Sequence, residues 1–261
     1  MRRAGAKLRP NLGFILTDPE PDNFTYALAN EPELAEWVRS VSGRERVAID
    51  RVLDEVHHDR ELGERLRRAT ARRWSWSKPA PPFGKRVAWY ALARLSRPEL
   101  IVETGVHDGL GSLLLLRALE RNRDEGAPGE LLSFDVNPAA GWIVGEHPLW
   151  QLRIEPTQTG LGRALDQAPP LGLFIHDSLH TYENERFELR TAAAQLAPAG
   201  VLITDNAHVT SALRDTCEEF GLRYFEFRER PLHHFYPGGK MGAGRRQSER
   251  APASQRPSAS R

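Results

Sequence analysis

The feature that most constrains this chain is a regular alternation of short apolar runs with amphipathic segments between Leu100 and Thr204. The apolar runs cover Leu100–Val102, Leu131–Phe134, Leu152–Ile154, Leu173–Ile175 and Val201–Thr204. Near-continuous apolar runs are typical of strands that are buried on both faces, and parallel strands need long crossovers that are usually helical. The alternation therefore predicts a doubly wound α/β fold with a mostly parallel sheet.

The two ends of the chain differ from this alternating region. Apolar residues recur every three or four positions from Glu31 to Arg73, which predicts amphipathic helices, and the proline-rich Ser77–Pro82 ends them. Near the other end, Arg223–Phe227 and His233–Tyr236 are spaced to pair as an antiparallel hairpin at the sheet edge. We therefore divide the chain into a lead-in and helical cap or lid over 1–77, a core over 78–244, and a disordered tail over 245–261.

Composition and charge exclude several classes of protein. The chain has 261 residues, of which 40% are hydrophobic and 27% charged, as in globular proteins, and no apolar run is long enough to span a bilayer. Its single cysteine cannot form an intramolecular disulfide. The segment from Lys240 onward contains six basic residues and one acidic residue, so the rest of the chain has a net negative charge. It therefore lacks the basic surface that nucleic-acid binding requires. We expect a cytoplasmic protein with no membrane or nucleic-acid partner.

A glycine-rich turn follows the first predicted strand of the core. Glu103 ends this strand, Gly105 and Gly109 allow a tight turn, and Ser112 lies near the start of the next helix. Glycines leave room for a ligand, and a helix start offers free N–H groups to it. A strand-to-helix turn without a ligand is the alternative; an acid at Glu103 favours a ligand that carries an amine or hydroxyls. Asp135, after the next strand, can accept both hydroxyls of a ribose, or it can cap the following turn.

Polar clusters follow two further strands. Asp177, Asp205 and Asn206 supply the oxygen ligands that a hard divalent cation such as Mg²⁺ prefers, with positions left open for a substrate oxygen. His180 lies three residues after Asp177, where it can act as a general base at neutral pH. The alternative is that these acids cap the helices that follow. The occurrence of two such clusters on successive strands favours the metal site.

The segment from Lys78 to Gly244 resembles a class I S-adenosylmethionine-dependent methyltransferase of the small-molecule O-methyltransferase type, with a Rossmann-like sheet. Glu103–Ser112 resembles its first motif, Asp135 its ribose-binding acid, and Leu196–Val201 the turn before its fifth strand. The resemblance implies that Glu103 and the glycines surround the methionine part of the cofactor and that Asp135 binds the ribose. It also allows for a homodimer or a higher homo-oligomer, since helices before the core often mediate dimers in this family.

The metal cluster is similar to those of two groups within this family. An Asp with a histidine base three residues later, as in Asp177 and His180, is similar to macrolide sugar O-methyltransferases. The pair Asp205–Asn206 instead is similar to catechol O-methyltransferases. The resemblance thus implies a metal-assisted transfer of a methyl group to a hydroxylated sugar or natural product, without deciding between the two substrate classes.

Two other functions are compatible with the sequence. The first is a metal-independent methyltransferase in which Asp177, Asp205 and Asn206 are capping residues. The second is a non-catalytic cofactor-binding or scaffolding module that uses the N-terminal helices as an interface. A nicotinamide-dependent oxidoreductase fits poorly, because Glu103 lies within the strand and the spacing from Gly105 to Gly109 differs from that of the dinucleotide fingerprint.

Overall fold

The computed structural model describes residues 26–70, 83–234 and 236–246. The proline-rich segment, the lead-in and the tail beyond Arg246 lie outside these residues. The described helices are α1 Glu31–Ser42, α2 Arg46–His57, α3 Arg60–Thr70, α4 Val87–Ser96, α5 Leu110–Asp124, α6 Thr157–Leu165, α7 Tyr182–Ala194 and α8 Ala212–Glu219, with a 3-10 turn at Gly84–Arg86. The strands are β1 Ala27–Leu28, β2 Leu100–Thr104, β3 Glu130–Asp135, β4 Trp150–Ile154, β5 Leu171–His176, β6 Leu196–Thr204, β7 Leu222–Arg228, β8 Pro231–Leu232 and β9 Lys240–Arg246.

Seven of these strands form one sheet in the order β4-β3-β2-β5-β6-β9-β7. Strands β2 to β6 pair in parallel, and β9 runs antiparallel between β6 and β7. The strand order reverses direction between β2 and β5, which is the switch point where open α/β sheets bind ligands. The doubly wound, mostly parallel fold predicted from the sequence is confirmed.

The core is built from the apolar runs that the sequence displays. All five residues of β2 are buried, and the apolar residues of β5 and of the second half of β6 are buried as well. Helices α4 and α5 contribute Trp89, Tyr90 and Leu114 to the interior. Burial of each such side chain stabilises the fold by about 1.5–3 kcal/mol, so these elements hold the strand ends in fixed positions.

Helices α1 to α3 pack onto the core rather than standing apart from it. Leu34, Val38 and Val41 on one face of α1 and Ile49 on α2 are completely buried in the same apolar cluster as α4. An ion-pair group adds to this packing: Asp59, between α2 and α3, lies 2.7 Å from Arg117 Nε and 2.7 Å from Arg121 Nη2, both on α5. These guanidinium groups lower the pKa of Asp59 to about 2 in spite of burial, which opposes its ionisation.

The C-terminal edge differs in one respect from the sequence-based prediction. An antiparallel hairpin does form the edge, but the partner of β7 is β9 and not His233–Tyr236. The segment lies close enough to β7 along the chain to pair with it, yet β8 ends at Leu232 and pairs with β1 in a small separate sheet. Strand β9 continues through Arg246, two residues into the segment that we assign to the tail. Within the described ranges, no helix has both the length and the apolar character needed to cross a membrane.

Candidate active site

The candidate site residues lie at the carboxyl ends of four neighbouring strands. Backbone hydrogen bonds extend the sheet by one residue beyond these ends. Gly105 N donates to Phe134 O at 2.9 Å, Asp177 N donates to Thr104 O at 2.8 Å, and Asp205 N donates to His176 O at 2.9 Å. The segments that follow β2, β3, β5 and β6 are therefore held side by side, as the sequence predicts for strand ends of a parallel sheet.

Close contact between two of these segments explains Gly105. Its φ angle of +83° lies in the left-handed region, and a Cβ atom there would lie 2.2 Å from the carbonyl oxygen of Asp177. Gly109 has φ +94° and immediately precedes α5, and its Cβ would lie 3.0 Å from the Cα atom of Gly141. Both glycines thus allow a close backbone approach. At Gly105 the approach is to the chain's own Asp177 segment, and this positions Asp177.

Glu103 and Ser112 lie beneath the glycine-rich turn. The Glu103 side chain is buried, and its Oε2 accepts hydrogen bonds from Ser112 Oγ at 2.5 Å and Ser133 Oγ at 2.9 Å. Burial raises the pKa of this carboxyl to about 7, because the two hydroxyls only partly compensate the loss of hydration. A positively charged amine beside Glu103 would therefore favour the ionised form of its carboxyl group.

Asp135 binds the glycine-rich turn itself. Its Oδ2 accepts hydrogen bonds from Val106 N at 2.8 Å and His107 N at 3.0 Å, and its Oδ1 accepts one from Asn137 N at 2.8 Å. A carboxylate oxygen can accept about two hydrogen bonds, so Oδ1 can take a further donor. The structure therefore brings Asp135 next to the turn, where it links the ends of β2 and β3.

Two carboxyl groups meet at the ends of β5 and β6. Burial together with the charge of Asp205 raises the pKa of Asp177. Asp205 has the opposite shift: although burial opposes ionisation, the charges of Lys85 and Arg86 lower its pKa. Like charges disfavour each other's ionisation, so Asp177 is the acid of the pair that binds a proton more readily.

Lys85 is a site residue that the sequence analysis does not identify. Its Nζ lies 2.7 Å from Asp205 Oδ1 and 3.0 Å from Glu229 Oε1, and its side chain is only 3% exposed. Glu229 in turn accepts hydrogen bonds from the Tyr26 hydroxyl and from Gly239 N. A basic pair directly before the apolar residues of α4 is the one signal in the sequence that could have pointed to Lys85.

His180 faces both the acids and Asn206. Its Nε2 lies 3.6 Å from Asp177 Oδ1, and the side-chain amide of Asn206 donates to the same nitrogen at 3.1 Å. The interaction with Asp177 raises the pKa of the imidazole, while partial burial opposes this. Asn206 has φ +56°, a left-handed conformation that Asn tolerates. The structure thus brings together Asp177, His180, Asp205 and Asn206.

A second set of potential metal ligands lies beside them. One ligand atom each of His176, His180 and Glu185 lie within 4.8 Å of one another. His176 Nδ1 contacts Glu188 Oε2 at 2.7 Å, whereas His176 Nε2 and His180 Nδ1 are buried and have no hydrogen-bond partner among the described residues. Glu185 already accepts hydrogen bonds from Thr204 and Thr210. No motif in the sequence identifies it as a metal ligand.

Comparison with known proteins concerns the class and the fold of the chain. The family described as Methyltransferase domain matches residues 102–207, a range that contains every candidate site residue named from the sequence. This match and the fold are those of a class I methyltransferase. The chain is an S-adenosylmethionine-dependent enzyme of this class, as its resemblance implies. No curated protein sequence is significantly similar to it.

Solved structures share the fold, and two O-methyltransferases are among them. The O-methyltransferase from Bacillus cereus, in complex with SAH, has a TM-score of 0.54 at 15% identity, and the match covers 82% of this chain and 97% of that one. The O-methyltransferase TomG from Streptomyces achromogenes, involved in tomaymycin synthesis and solved in complex with SAM, has a TM-score of 0.51 at 16% identity. That match covers 73% of this chain and 91% of TomG. At these identities the comparison concerns the fold.

Proposed function

We propose that this methyltransferase transfers the methyl group of S-adenosylmethionine to a hydroxyl oxygen of a small hydroxylated molecule, with the help of a divalent cation. The observation that carries the proposal is the meeting of Asp177, Asp205, Asn206 and His180 at two adjacent strand ends. Their position, one strand away from the glycine-rich turn, suits a reaction between a bound cofactor and a second molecule.

The cofactor is proposed to bind along the glycine-rich turn. Glu103 would bind the amine of the methionine part, Asp135 would accept hydrogen bonds from the ribose, and the turn at Gly105 and Gly109, with Ser112 at the start of α5, would leave room for both. The remaining capacity of Asp135 Oδ1 and the raised pKa of Glu103 support these roles. Both O-methyltransferases of similar fold were solved with SAM or SAH, which supports the choice of cofactor.

The donor atoms of the acidic pair suit a divalent cation. The charge of Asp205 raises the pKa of Asp177, and a cation bound by both acids would relieve that repulsion. Asn206 adds a neutral oxygen ligand, so the three residues supply the oxygen donors that Mg²⁺ prefers. When bound, such a cation lowers the pKa of a substrate hydroxyl. The second set, His176, His180 and Glu185, would instead suit a transition metal.

His180 is proposed as the general base. In its neutral form Nε2 accepts a hydrogen bond from Asn206, so its lone pair is on this nitrogen, and an acceptor hydroxyl would replace the Asn206 amide as the donor to it. It would take the proton of the acceptor hydroxyl, and the oxygen would then attack the sulfonium methyl group in line. Asp177, 3.6 Å away, would stabilise the imidazolium that results.

One observation favours a metal-independent reaction as the second candidate. Lys85 and Arg86 already provide two positive charges next to Asp177 and Asp205, and Lys85 forms a direct ion pair with Asp205. In that case the acids would serve to hold the two cations and His180 in place. The two candidates differ in whether methyl transfer requires a cation other than these side chains.

The first experiment is a calorimetric titration of the protein with S-adenosylhomocysteine, with Mg²⁺ and with EDTA. We expect binding in the micromolar range, about −8 kcal/mol, and no binding under either condition would refute the cofactor site. SAH production would then be measured with a panel of hydroxylated acceptors. Loss of turnover with EDTA and its recovery with Mg²⁺ support metal assistance, whereas equal turnover in EDTA favours the second candidate.

Direct Mn²⁺ binding, followed by electron paramagnetic resonance, separates the two sets of ligands without any acceptor. Asp177→Asn should weaken Mn²⁺ binding by at least about tenfold, because it removes a charged ligand. Glu185→Gln, which leaves the acidic pair intact, serves as the matched variant and should leave Mn²⁺ binding unchanged. The reverse result would assign the metal to His176, His180 and Glu185.

A further inference from the structure

A cleft of about 1010 Å³ lies at the end of the sheet opposite the methyltransferase site. Its walls come from the amino ends of the parallel strands, including Glu99, Gly172 and Val201, and from α1 and α4. Arg245 on β9 pairs with Val201 in the sheet and so also reaches this end. The cleft is therefore separate from the residues that the proposed reaction uses.

Arginines dominate the charge of this cleft. Arg44, Arg97, Arg223, Arg245 and Arg246 line it, together with one acid, Glu99. Of the five, Arg97 forms an ion pair with Glu125. The other four form no ion pair with a carboxylate among the residues that the structure describes. Most of the described arginines outside the cleft do form one.

The contacts of these four arginines leave much of their hydrogen-bonding capacity unused. Arg44 Nη2 donates to Leu95 O at 3.3 Å, Arg245 Nη1 to Val41 O at 2.7 Å, and Arg246 Nη2 to Ala193 O at 3.3 Å. Arg245 Nε is buried without a hydrogen-bond partner among the described residues. Arg223 lies over the Phe225 ring at 4.8 Å. Each guanidinium can donate five hydrogen bonds, so most donors remain available to a ligand.

Negative charge is scarce around the cleft and in the segments outside the described ranges. Residues 1–25, 71–82 and 247–261, which lie outside the described ranges, are each net positive in sequence. Burial and the charge of Arg44 lower the pKa of Arg245, which is the effect expected where cations face one another without an acid between them. A bound anion would supply the negative charge that the described part of the chain does not place beside these four arginines.

We propose that this cleft binds a small multivalent anion of the phosphate class, such as a pyrophosphate or a phosphate ester. Guanidinium groups bind phosphate through two parallel hydrogen bonds, and a cluster of arginines is the arrangement that favours a multivalent anion over a monovalent one. The cleft volume is at the upper end of the range for small-molecule sites, so a phosphorylated metabolite of ordinary size fits.

The test uses inorganic pyrophosphate as the probe, because it lacks the adenosine and methionine parts that could bind at the methyltransferase site. Calorimetric titration of the full chain is carried out in EDTA at low salt, so that no metal links pyrophosphate to Asp177 and Asp205. The double variant Arg44→Gln/Arg223→Gln removes two exposed arginines of the cleft. We expect it to weaken pyrophosphate binding by at least about tenfold. Arg228→Gln changes an exposed arginine of the same strand β7 outside the cleft, and should change binding by less than about twofold.

Every outcome bears on the proposal. Binding that is lost in the double variant, kept in Arg228→Gln and weakened by added NaCl supports it. No heat of binding at millimolar pyrophosphate, or an equal loss in both variants, would overturn it. Citrate titrated in the same way distinguishes the ligand class, since tighter binding of citrate than of pyrophosphate would also overturn the assignment to phosphate. Thermal melting of each variant verifies that a loss of binding is not a loss of folding.

Discussion

Replacing Glu103 with Gln should stabilise the protein increasingly as the pH rises. The pKa of Glu103 is about 7 in the folded chain, against an ordinary value of 4.5. The folded protein therefore holds a proton that the unfolded chain releases between these two pH values, and the free energy of unfolding falls as the pH rises through this window. One pKa unit corresponds to about 1.4 kcal/mol, so the upper bound of the loss is about 3 kcal/mol. Gln cannot ionise, and its carbonyl oxygen can still accept the hydrogen bonds of Ser112 and Ser133.

The assay is urea unfolding of the cofactor-free protein and of Glu103→Gln at pH 4.5, 6 and 8. The difference in unfolding free energy between the two proteins should grow by about 2–3 kcal/mol from the lowest to the highest pH. Glu120→Gln is a control of opposite sign, because Arg65 and Arg117 lower the pKa of Glu120 to about 2 although burial opposes this. That variant should be less stable than the parent at all three pH values, and the deficit should shrink only as the pH falls below about 4.5 towards 2. A pH-independent difference for Glu103→Gln would refute the reasoning.

The other predictions concern the turn, the base and the ribose. Gly105→Ala should lower the unfolding free energy by at least about 2 kcal/mol more than Gly126→Ala does. Both glycines have φ +83°, but only at position 105 would a Cβ atom meet the carbonyl oxygen of Asp177. Equal losses of stability in urea unfolding would contradict this contact. Turnover should rise with pH through a midpoint above the ordinary histidine pKa of 6.5, since His180 must be neutral to act as base and its pKa is raised. His180→Ala should abolish turnover while the affinity for SAH stays within about tenfold of the parent. Turnover that is independent of pH, or unchanged in the variant, would remove His180 from the role of base. Asp135→Ala should weaken SAH binding by roughly 30- to 100-fold in calorimetry through the loss of hydrogen bonds to a charged group, and an unaltered affinity would refute the ribose contact.

Much of the fold is encoded locally and could be predicted for that reason. Strands buried on both faces must be apolar throughout, so β2, β3, β5 and β6 appear as continuous apolar runs in the sequence. Strand β9 shows no such run, because Gly242 and Gly244 lie where Leu213 and Cys217 of α8 pack directly onto the sheet. Sequence reasoning therefore places the partner of β7 at His233–Tyr236, an aromatic segment that lies closer to β7 along the chain.

The same distinction applies to the site. Residues that directly follow strands could be predicted to meet, because the carboxyl ends of neighbouring parallel strands share one edge of the sheet. Contacts between segments that are far apart in sequence leave no local signal. Lys85 precedes Asp205 by 120 residues and Glu229 by 144, and nothing in the neighbourhood of any of the three indicates that they meet in the interior.

The charges of this buried group connect the two candidate mechanisms. Three acids, Asp177, Asp205 and Glu229, face two cations, Lys85 and Arg86, so full ionisation would leave one negative charge uncompensated. Because burial and the charge of Asp205 raise the pKa of Asp177, this is the acid of the pair whose protonation would most readily remove that charge. A divalent cation and a proton would then compete for the same pair of carboxyl groups. The ion pair of Lys85 with Asp205 is therefore compatible with a metal: it keeps Asp205 ionised, and Asp177 is the acid that would lose its proton when a metal binds.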